Sequence, residues 1–480
     1  MSEKTQNKTG NLEKRRYTGN MRNRIILIGL IVAVWLGLKV VDCLFTGPEL
    51  LLLLGIGIAI MVTHSLWLLN AQHKWRKRSN LLAKTQAPLR QALKLSGRPA
   101  GATAPLSSLG NESVWEPWID IFIAAKNEAR VIENTVRNMF KINYDNFVVW
   151  VIDDCSTDHT AAILENLQNE FPRLRLIKRA YGSHPGKSAA LNEALPLSKG
   201  EVIAVFDADA YVAPDFFQLM LPVLEPEGIG AVQAQKRIYD YQKGFLVNCQ
   251  ASEYALDTYF QMGRDLIRGA VELRGNGQLV KRAALVDVGG WNNKAITDDL
   301  DLSMRLLVNH WDIRFCPHAY VWEEGVTTLK ALMRQRCRWA EGSIRRYLDY
   351  IFPLNSPTRL SLVERLDTIA FTVLFVVPAL MLLEVTSELI HFSTGLPTHG
   401  RLFAIISMII FLISELNIFV AIKIYRNMSY WRTFLHSLEV SAYVYLHWIP
   451  CIVISLRQIM FGKQASTWHP TEHVGHSPAN

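Results

Sequence analysis

The sequence predicts an α/β domain with a mostly parallel sheet, embedded between membrane-spanning helices. Three observations support this prediction. Short apolar, β-branched runs alternate with helical patterns in the middle of the chain, which is typical of a parallel sheet. Long apolar runs stand near both ends of the 480 residues. Basic residues, part of a net charge of +8, cluster beside those runs as expected next to anionic lipid, without the aromatic and basic interleaving of a nucleic-acid surface.

The first 117 residues predict a tail, a membrane hairpin and a linker. Residues 1–24 are polar and basic, which predicts a disordered cytoplasmic tail. Residues 25–70 contain two apolar runs, Ile25–Phe45 and Leu50–Leu69, each long enough to cross a bilayer. Since both flanks of this hairpin are basic, both of its ends are expected in the cytoplasm. Residues 71–117 are predicted to be a linker with a short helix.

The α/β domain is predicted over residues 118–325. Its strands are expected at Ile119–Ile123, Phe147–Ile152, Leu174–Lys178, Val202–Phe206 and Ile229–Ile238. Helical patterns separate the strands, and three of the strands end in polar clusters. Because an open α/β sheet binds its ligand at the carboxyl ends of its strands, these clusters mark the expected site.

The last third of the chain predicts an interfacial segment followed by membrane spans. Residues 326–360 have a basic amphipathic pattern, which favours helices that lie in the membrane interface. Residues 361–460 contain three further apolar runs, at Leu366–Leu383, Leu402–Ile422 and Leu435–Leu456. Trp448–Pro450 interrupts the last run. This favours a broken or re-entrant segment there, which would leave a tail of residues 461–480 in the cytoplasm.

Two carboxylates follow the strand Val202–Phe206 directly. Asp207 and Asp209 stand at positions i and i+2, a spacing that places both side chains on one side of an extended chain. Two carboxylates at a strand end suit Mg²⁺, which usually completes its shell with substrate phosphates. The alternative interpretation is an Asx turn that closes a buried strand.

Four motifs occur in order along the chain: Asp154, Asp207-Ala208-Asp209, Thr297-Asp298-Asp299 and Gln335-Arg336-Cys337-Arg338-Trp339. In this order and spacing they resemble the family 2 inverting glycosyltransferases, membrane-embedded enzymes whose Rossmann-like GT-A fold binds nucleotide sugars. The resemblance covers Ile119 to Trp339 by motif and the flanking spans by architecture. One position departs from it, since Asp298 stands where the family usually has Glu.

The resemblance implies a metal ligand and a catalytic base. Asp209 would bind Mg²⁺, or Mn²⁺ in its place, and Asp207 would share that metal or contact the ribose. Asp299 would be the general base that removes a proton from the acceptor hydroxyl. Asp154 would accept hydrogen bonds from a uracil or a ribose. The alternative for Asp299 is an acidic residue in the first turn of a helix over Asp298–Val308, where it complements the helix dipole.

The resemblance also places residues around the nucleotide. The implied lining of that pocket is Ala125, Glu128, Lys187 and Asn192. Asp153 and Asp158 have a plainer interpretation, as turn and helix-cap residues. The loop Leu273–Gln278 resembles an acceptor-side turn, whose glycines allow close backbone approach. The tail Ser466–Thr471 resembles a segment that covers the nucleotide.

The basic motif near residue 336 is expected at the diphosphate. Arg336 and Arg338 would pair with phosphate oxygens, with Gln335 beside them. Trp339 would offer a flat face to the acceptor. The alternative is an interfacial helix that contacts anionic lipid, which explains three other basic residues better: Lys330, Arg345 and Arg346.

The family offers two kinds of acceptor. The wider sequence, including Arg336–Asp349, is similar to one branch of the family, the cyanobacterial β-monoglucosyldiacylglycerol synthases. That similarity implies UDP-glucose as donor, 1,2-diacylglycerol as acceptor, Mg²⁺ as cofactor and a multi-pass protein of the plasma or thylakoid membrane with its catalytic domain in the cytoplasm. The stretch Gln335–Trp339 instead favours a processive polysaccharide synthase. A non-catalytic nucleotide-sugar sensor is a third possibility, which the presence of Asp207, Asp209 and Asp299 disfavours.

Overall fold

The computed structural model describes residues 24–29, 49–95, 115–239, 244–354, 360–395 and 400–462. Four predictions lie wholly or mostly outside these residues: the N-terminal tail, the first predicted span, the linker beyond Leu95, and the C-terminal tail with its segment Ser466–Thr471. The part of the chain that the structure describes contains one large sheet, helices on both of its faces, and a bundle of long apolar helices.

Eight strands form the sheet within the described residues. They are β1 (Ile119–Ala125), β2 (Phe147–Asp153), β3 (Leu174–Lys178), β4 (Val202–Phe206), β5 (Tyr211–Val212), β6 (Ile229–Ile238), β7 (Gln278–Lys281) and β8 (Asp312–Glu323). Their order across the sheet is β3-β2-β1-β4-β7-β6-β8-β5. Six strands run in one direction, whereas β7 and β5 are antiparallel to their neighbours. The prediction of a mostly parallel sheet is confirmed.

The helices follow the chain in this order. They are α1 (Glu49–Leu95), α2 (Ile132–Met139), α3 (Thr160–Glu170), α4 (Lys187–Ala194), α5 (Phe216–Leu224), α6 (Phe245–Leu266), α7 (Arg282–Asp287), α8 (Asp298–Val308), α9 (Leu329–Leu354), α10 (Leu362–Thr394), α11 (Gly400–Tyr425) and α12 (Tyr430–Phe461).

The central strands are buried on both faces, as their unbroken apolar runs require. Along β1, Ile121 and Ile123 face a core formed with α2, α3 and α5. Phe122, between them, faces the opposite core, which α4, α7 and α8 complete. This alternation follows from the two-residue period of a strand. The helices thus cover both faces and leave the strand ends at the edge of the sheet open for a site.

Four helices within the described residues are long and apolar enough to cross a membrane, by length and composition. They are Leu52–Lys77, Leu362–Thr386, Arg401–Tyr425 and Tyr430–Phe461. The predicted break at Trp448–Pro450 is wrong, because α12 runs through Pro450 without interruption. Neighbouring helices can support a proline inside a membrane helix, so the residue alone does not end it.

The first of these helices is longer than predicted. Residues 71–117 were expected to form a linker, yet α1 continues to Leu95. This part of α1 is rich in Leu, Lys, Arg, Ala and Gln, which have high helix propensity. The predicted linker is therefore helical up to Leu95.

A buried ion network joins the sheet domain to the apolar helices. Arg264 Nε, at the end of α6, donates to Asp367 Oδ2 of α10 at 2.8 Å. The other carboxylate oxygen of Asp367 lies 2.8 Å from His64 Nε2 of α1. All three side chains are buried. Since an uncompensated charge there would be costly, the network fixes the two parts of the molecule against each other.

Candidate active site

The acidic end of β4 lies at the carboxyl edge of the sheet, as predicted. The backbone N–H of Asp207 donates to Asn276 Oδ1 at 3.1 Å, and its carboxylate forms an ion pair with Lys187. Asp209 is buried, and its Oδ2 accepts the backbone N–H of Glu324 at 3.0 Å. The acidic end of β4 is therefore held by the loop that precedes β7 and by the residue that follows β8.

Asp299 lies in the first turn of α8, whose predicted bounds Asp298–Val308 are confirmed. It faces Gly275, where a Cβ atom would lie only 3.2 Å from Asp299 Oδ2. Gly275 also has φ +76°, in the left-handed region that favours glycine. The Gly275 carbonyl in turn accepts Lys187 Nζ at 2.8 Å, and Lys187 is the partner of Asp207. The structure thus brings Asp299 and Asp207 to one site, linked through Gly275 and Lys187.

The electrostatics of this site favour a carboxyl group that titrates near neutrality. Burial, and next the neighbouring carboxylate of Asp298, raise the pKa of Asp299 to about 6. Burial lowers the pKa of Lys187, but the carboxylates of Asp207 and Asp298 outweigh it, so this pKa is raised overall. Burial also lowers the pKa of Arg338, against the opposing effect of the same carboxylates. A carboxyl group with a raised pKa on a cavity wall is a candidate for acid–base chemistry, and the role of Asp299 as the base stays a prediction.

The contact of Asp154 with the nucleotide stays a prediction. Asp154 is buried and forms an ion pair with Arg179, and its Oδ2 accepts the backbone N–H of Gly186 at 3.1 Å. It therefore holds the loop that leads into Lys187. The turn interpretation of Asp158 is confirmed, because its Oδ1 accepts the N–H of Thr160 at 3.0 Å.

Two other predicted pocket residues have hydrogen bonds to neighbouring segments of the protein. Ala125 is fully buried, and its carbonyl accepts the N–H of Asp154 at 2.8 Å. Asn192 donates from Nδ2 to the carbonyl of Trp291 at 2.7 Å, and its Oδ1 accepts the N–H of Trp291 at 2.9 Å. Through these hydrogen bonds Asn192 holds the segment before α8 in place. Glu128 does line the cavity, as predicted.

The basic motif on α9 lies at the cavity. Gln335, Arg338 and Trp339 line the cavity, since residues three and four apart share a face. Arg336 is buried beside them, with its Cζ 4.2 Å from the ring centre of Trp339. It pairs with Glu253 through Nε at 3.0 Å and Nη2 at 2.6 Å, and its contact with the diphosphate stays a prediction.

The lipid-facing interpretation of the same helix is also wrong for two residues. Arg346 is buried, and its Nη1 donates to Glu272 Oε1 at 2.8 Å. Arg345 is buried as well, and its Nε donates to Glu341 at 2.8 Å. These arginines pair with acidic side chains inside the protein, so they do not mark a surface for anionic lipid.

Sequence reasoning missed an ion pair on the cavity wall. Lys236, at the end of β6, lies 2.9 Å from Glu323 Oε2 at the end of β8. Asn276 Nδ2 donates to the same oxygen at 3.1 Å, and Lys236 Nζ lies 5.7 Å from the ring centre of Trp339. The available signal was the pair of glutamates that ends β8, which has the same form as the acidic end of β4.

One cavity of about 1140 Å³ contains these groups. Its polar part includes Asp207, Asp209, Asp299, Lys187 and Arg338. It continues between the apolar helices, where residues of α1, α10, α11 and α12 line it. Ligand pockets are typically about 300–1,000 Å³, so the space exceeds what a compact small molecule fills. A charged ligand and an apolar one can therefore meet in a single cavity.

Comparison with known proteins shows which family the α/β domain resembles. Residues 117–342 match the family described as "Glycosyltransferase like family 2". A β-monoglucosyldiacylglycerol synthase of Nostoc sp. is 48% identical over 236 residues, which cover 49% of this chain and 50% of the relative. The synthase of the same name from Synechocystis sp. is 41% identical over 293 residues, covering 61% and 60%. The chain thus spans about half to three fifths of the length of these relatives.

A solved structure supports the fold independently. The mannosyltransferase PcManGT from Pyrobaculum calidifontis, in complex with GDP-Man and Mn²⁺, superposes with a TM-score of 0.51. The superposition covers 81% of this chain and 99% of that one, at 18% sequence identity. Similarity at this level concerns the fold, and it agrees with the sheet and helix order described above. Residues 117–342 are therefore similar to the family 2 glycosyltransferases, and their sheet and helices have the GT-A fold.

Proposed function

We propose that this chain is an inverting glucosyltransferase that moves glucose from UDP-glucose to the free hydroxyl of 1,2-diacylglycerol, giving β-monoglucosyldiacylglycerol. One observation supports this most: the cavity that contains Asp299 continues between helices apolar enough to span a membrane. A lipid alcohol can then reach the base from the bilayer. The printed names of the relatives from Nostoc sp. and Synechocystis sp. agree with this acceptor.

The proposed reaction is a single displacement at the anomeric carbon. The Asp299 carboxylate takes the proton of the diacylglycerol hydroxyl while that oxygen bonds to C1 of glucose. The bond from C1 to the phosphate oxygen breaks, and its electron pair leaves with UDP. Because attack comes from the face opposite UDP, an α-linked donor gives a β-linked product.

Cationic side chains are placed to favour departure of UDP. Lys187 and Arg338 line the same part of the cavity as Asp207. Negative charge builds on the diphosphate as the bond breaks, and preorganised cations stabilise such charge strongly in a site that excludes water. Arg338 is suited to this role because its guanidinium can contact two phosphate oxygens at once.

The carboxylates at the end of β4 fit a divalent cation that is shared with the substrate. Within the described residues, no group of three His, Cys, Asp or Glu side chains is arranged to hold a metal by itself. Asp207 and Asp209 nevertheless offer two oxygen ligands, and Mg²⁺ is usually bound by one or two carboxylates together with substrate phosphates. When bound, Mg²⁺ or Mn²⁺ would neutralise charge on the diphosphate.

A processive polysaccharide synthase is the second candidate. The observation that favours it is the position of Gln335, Arg338 and Trp339 on the cavity wall. The third possibility, a nucleotide-sugar sensor, would bind the donor without turnover.

Incubation of the full chain in membranes with labelled UDP-glucose, UDP-galactose and UDP-N-acetylglucosamine separates these candidates. We expect label from UDP-glucose in a small glycolipid that organic solvent extracts. Label in insoluble or high-mass material would instead identify a polymer synthase, and binding without transfer would identify a sensor. Asp299→Asn protein serves as the matched control for background transfer by the membranes.

A further inference from the structure

We propose that the membrane end of the cavity binds an acyl chain of the acceptor lipid, and that α1 and α10 determine which chains it accepts. This inference rests on the proposed function and adds a site to it. We name this region the acyl arm. It is lined by Met61, Phe371, Leu374, Met381, Ile410 and Ile449.

Apolar side chains line the acyl arm on several sides. Met61 comes from α1, Leu374 and Met381 from α10, Ile410 from α11 and Ile449 from α12. Four separate helices therefore contribute apolar side chains to one space, and each of them is apolar enough to cross a membrane. Burial of methylene groups in such a space is favourable, so the space favours an alkyl chain over a hydrated sugar chain.

Polar groups near the arm already have partners inside the protein. Asn417 lines the cavity, but its Nδ2 donates to Ser65 Oγ at 3.0 Å and to the carbonyl of Ile413 at 2.9 Å. Glu272 also lines the cavity, and it accepts from Arg346 Nη1 at 2.8 Å. A polysaccharide needs hydrogen-bonding groups along its path, whereas these groups are engaged with one another. The arrangement fits an alkyl chain.

The arm joins the catalytic end without a partition. One cavity includes both Asp299 and Leu374. A lipid whose hydroxyl lies at Asp299 can therefore extend its chain along α10 in the same space. Side chains on the inner faces of α1 and α10 then limit the length and bulk of the acyl chain that fits.

Inner and outer faces of the same helices provide matched variants. On α10, Leu374 lines the arm, whereas Val376 is 46% exposed on the outer face. On α1, Met61 lines the arm, whereas Ile56 is 51% exposed. Tryptophan at Leu374 or Met61 would fill the arm, while tryptophan at Val376 or Ile56 adds the same bulk outside it.

The test uses the full chain in lipid nanodiscs, with dioleoylglycerol and dioctanoylglycerol as acceptors and UDP affinity as a control for folding. We expect Leu374→Trp and Met61→Trp to lower kcat/KM for the long-chain acceptor about tenfold more than for the short-chain one, which corresponds to overpacking by about 1.4 kcal/mol. Val376→Trp and Ile56→Trp should affect both acceptors equally. UDP affinity should be unchanged in all four variants.

Two results would overturn the acyl arm. One is an equal loss for both acceptors in Leu374→Trp and Met61→Trp protein that still binds UDP. The other is no loss for either acceptor in the same proteins. Failure of the proposed function is seen separately, since the unsubstituted protein would then glucosylate neither diacylglycerol.

Discussion

Replacing Asp299 by asparagine removes the proposed base and keeps a side chain of the same shape beside Gly275. A positioned general base contributes about 10²- to 10⁴-fold to a rate, so we expect Asp299→Asn to lower kcat by a factor in that range. UDP affinity should change little, because the substitution leaves the phosphate-facing side chains in place.

The role of Asp299 as the base also predicts how far kcat/KM of the wild-type protein falls at low pH. With a pKa of about 6, Asp299 is half ionised near pH 6 and roughly one-tenth ionised at pH 5. An aspartate with its ordinary pKa would still be about nine-tenths ionised at pH 5. Since only the carboxylate accepts a proton, kcat/KM should fall about tenfold from pH 7.5 to pH 5.

Substitution of the neighbouring Asp298 is a control for which the direction of the pKa change is known. Asp298 raises the pKa of Asp299, so Asp298→Asn should move the acid limb to lower pH. The assay is the initial rate of glucolipid formation at saturating donor, measured from pH 5 to pH 8. An acid limb that stays in place in Asp298→Asn protein, or an Asp299→Asn protein with near-normal kcat, would refute the assignment of the base.

Three further predictions concern the metal, the basic motif and the ion network between the domains. Chelation of divalent cations should abolish transfer, and added Mg²⁺ or Mn²⁺ should restore it. Asp209→Asn should raise the cation concentration needed for transfer. Transfer that continues in the presence of the chelator would contradict the assignment of Asp209 as a metal ligand. Arg336→Ala should lower the free energy of unfolding by about 3–5 kcal/mol, because it removes the arginine partner of Glu253, while the KM for UDP-glucose stays the same. A raised KM without loss of stability would instead support a contact between Arg336 and the diphosphate. Asp367→Ala should lower the thermal midpoint in detergent, since it removes one of the two acidic partners of the buried Arg264 guanidinium. Glu170→Gln, at an exposed ion pair, should change the midpoint little, and equal midpoints for the two variants would argue against the network.

Local patterns predicted the parts of the site that local physics determines. The end of β4 was predictable because a buried apolar run followed by two carboxylates has few other interpretations. The start of α8 was predictable because acidic residues favour the first turn of a helix. In both cases the residues that form the element also bear the chemistry.

Long-range pairing determines the parts that were missed or wrong. Lys236 and Glu323 meet only because β6 and β8 pair in the sheet, and no sequence spacing reveals that pairing. The buried ion pair of Arg336 was also missed. Its partner Glu253 stands 83 residues earlier in the chain, a pairing that no local spacing reveals. The acyl arm is assembled from four helices, so it exists only in the tertiary structure.

The anomeric configuration of the product tests the proposed displacement most directly. Purified protein would convert UDP-glucose and diacylglycerol to a glycolipid, whose anomeric proton coupling is then measured by NMR. A single attack assisted by Asp299 predicts a β-linked glucose on the lipid. An α-linked glucose would contradict a one-step displacement at this carboxylate.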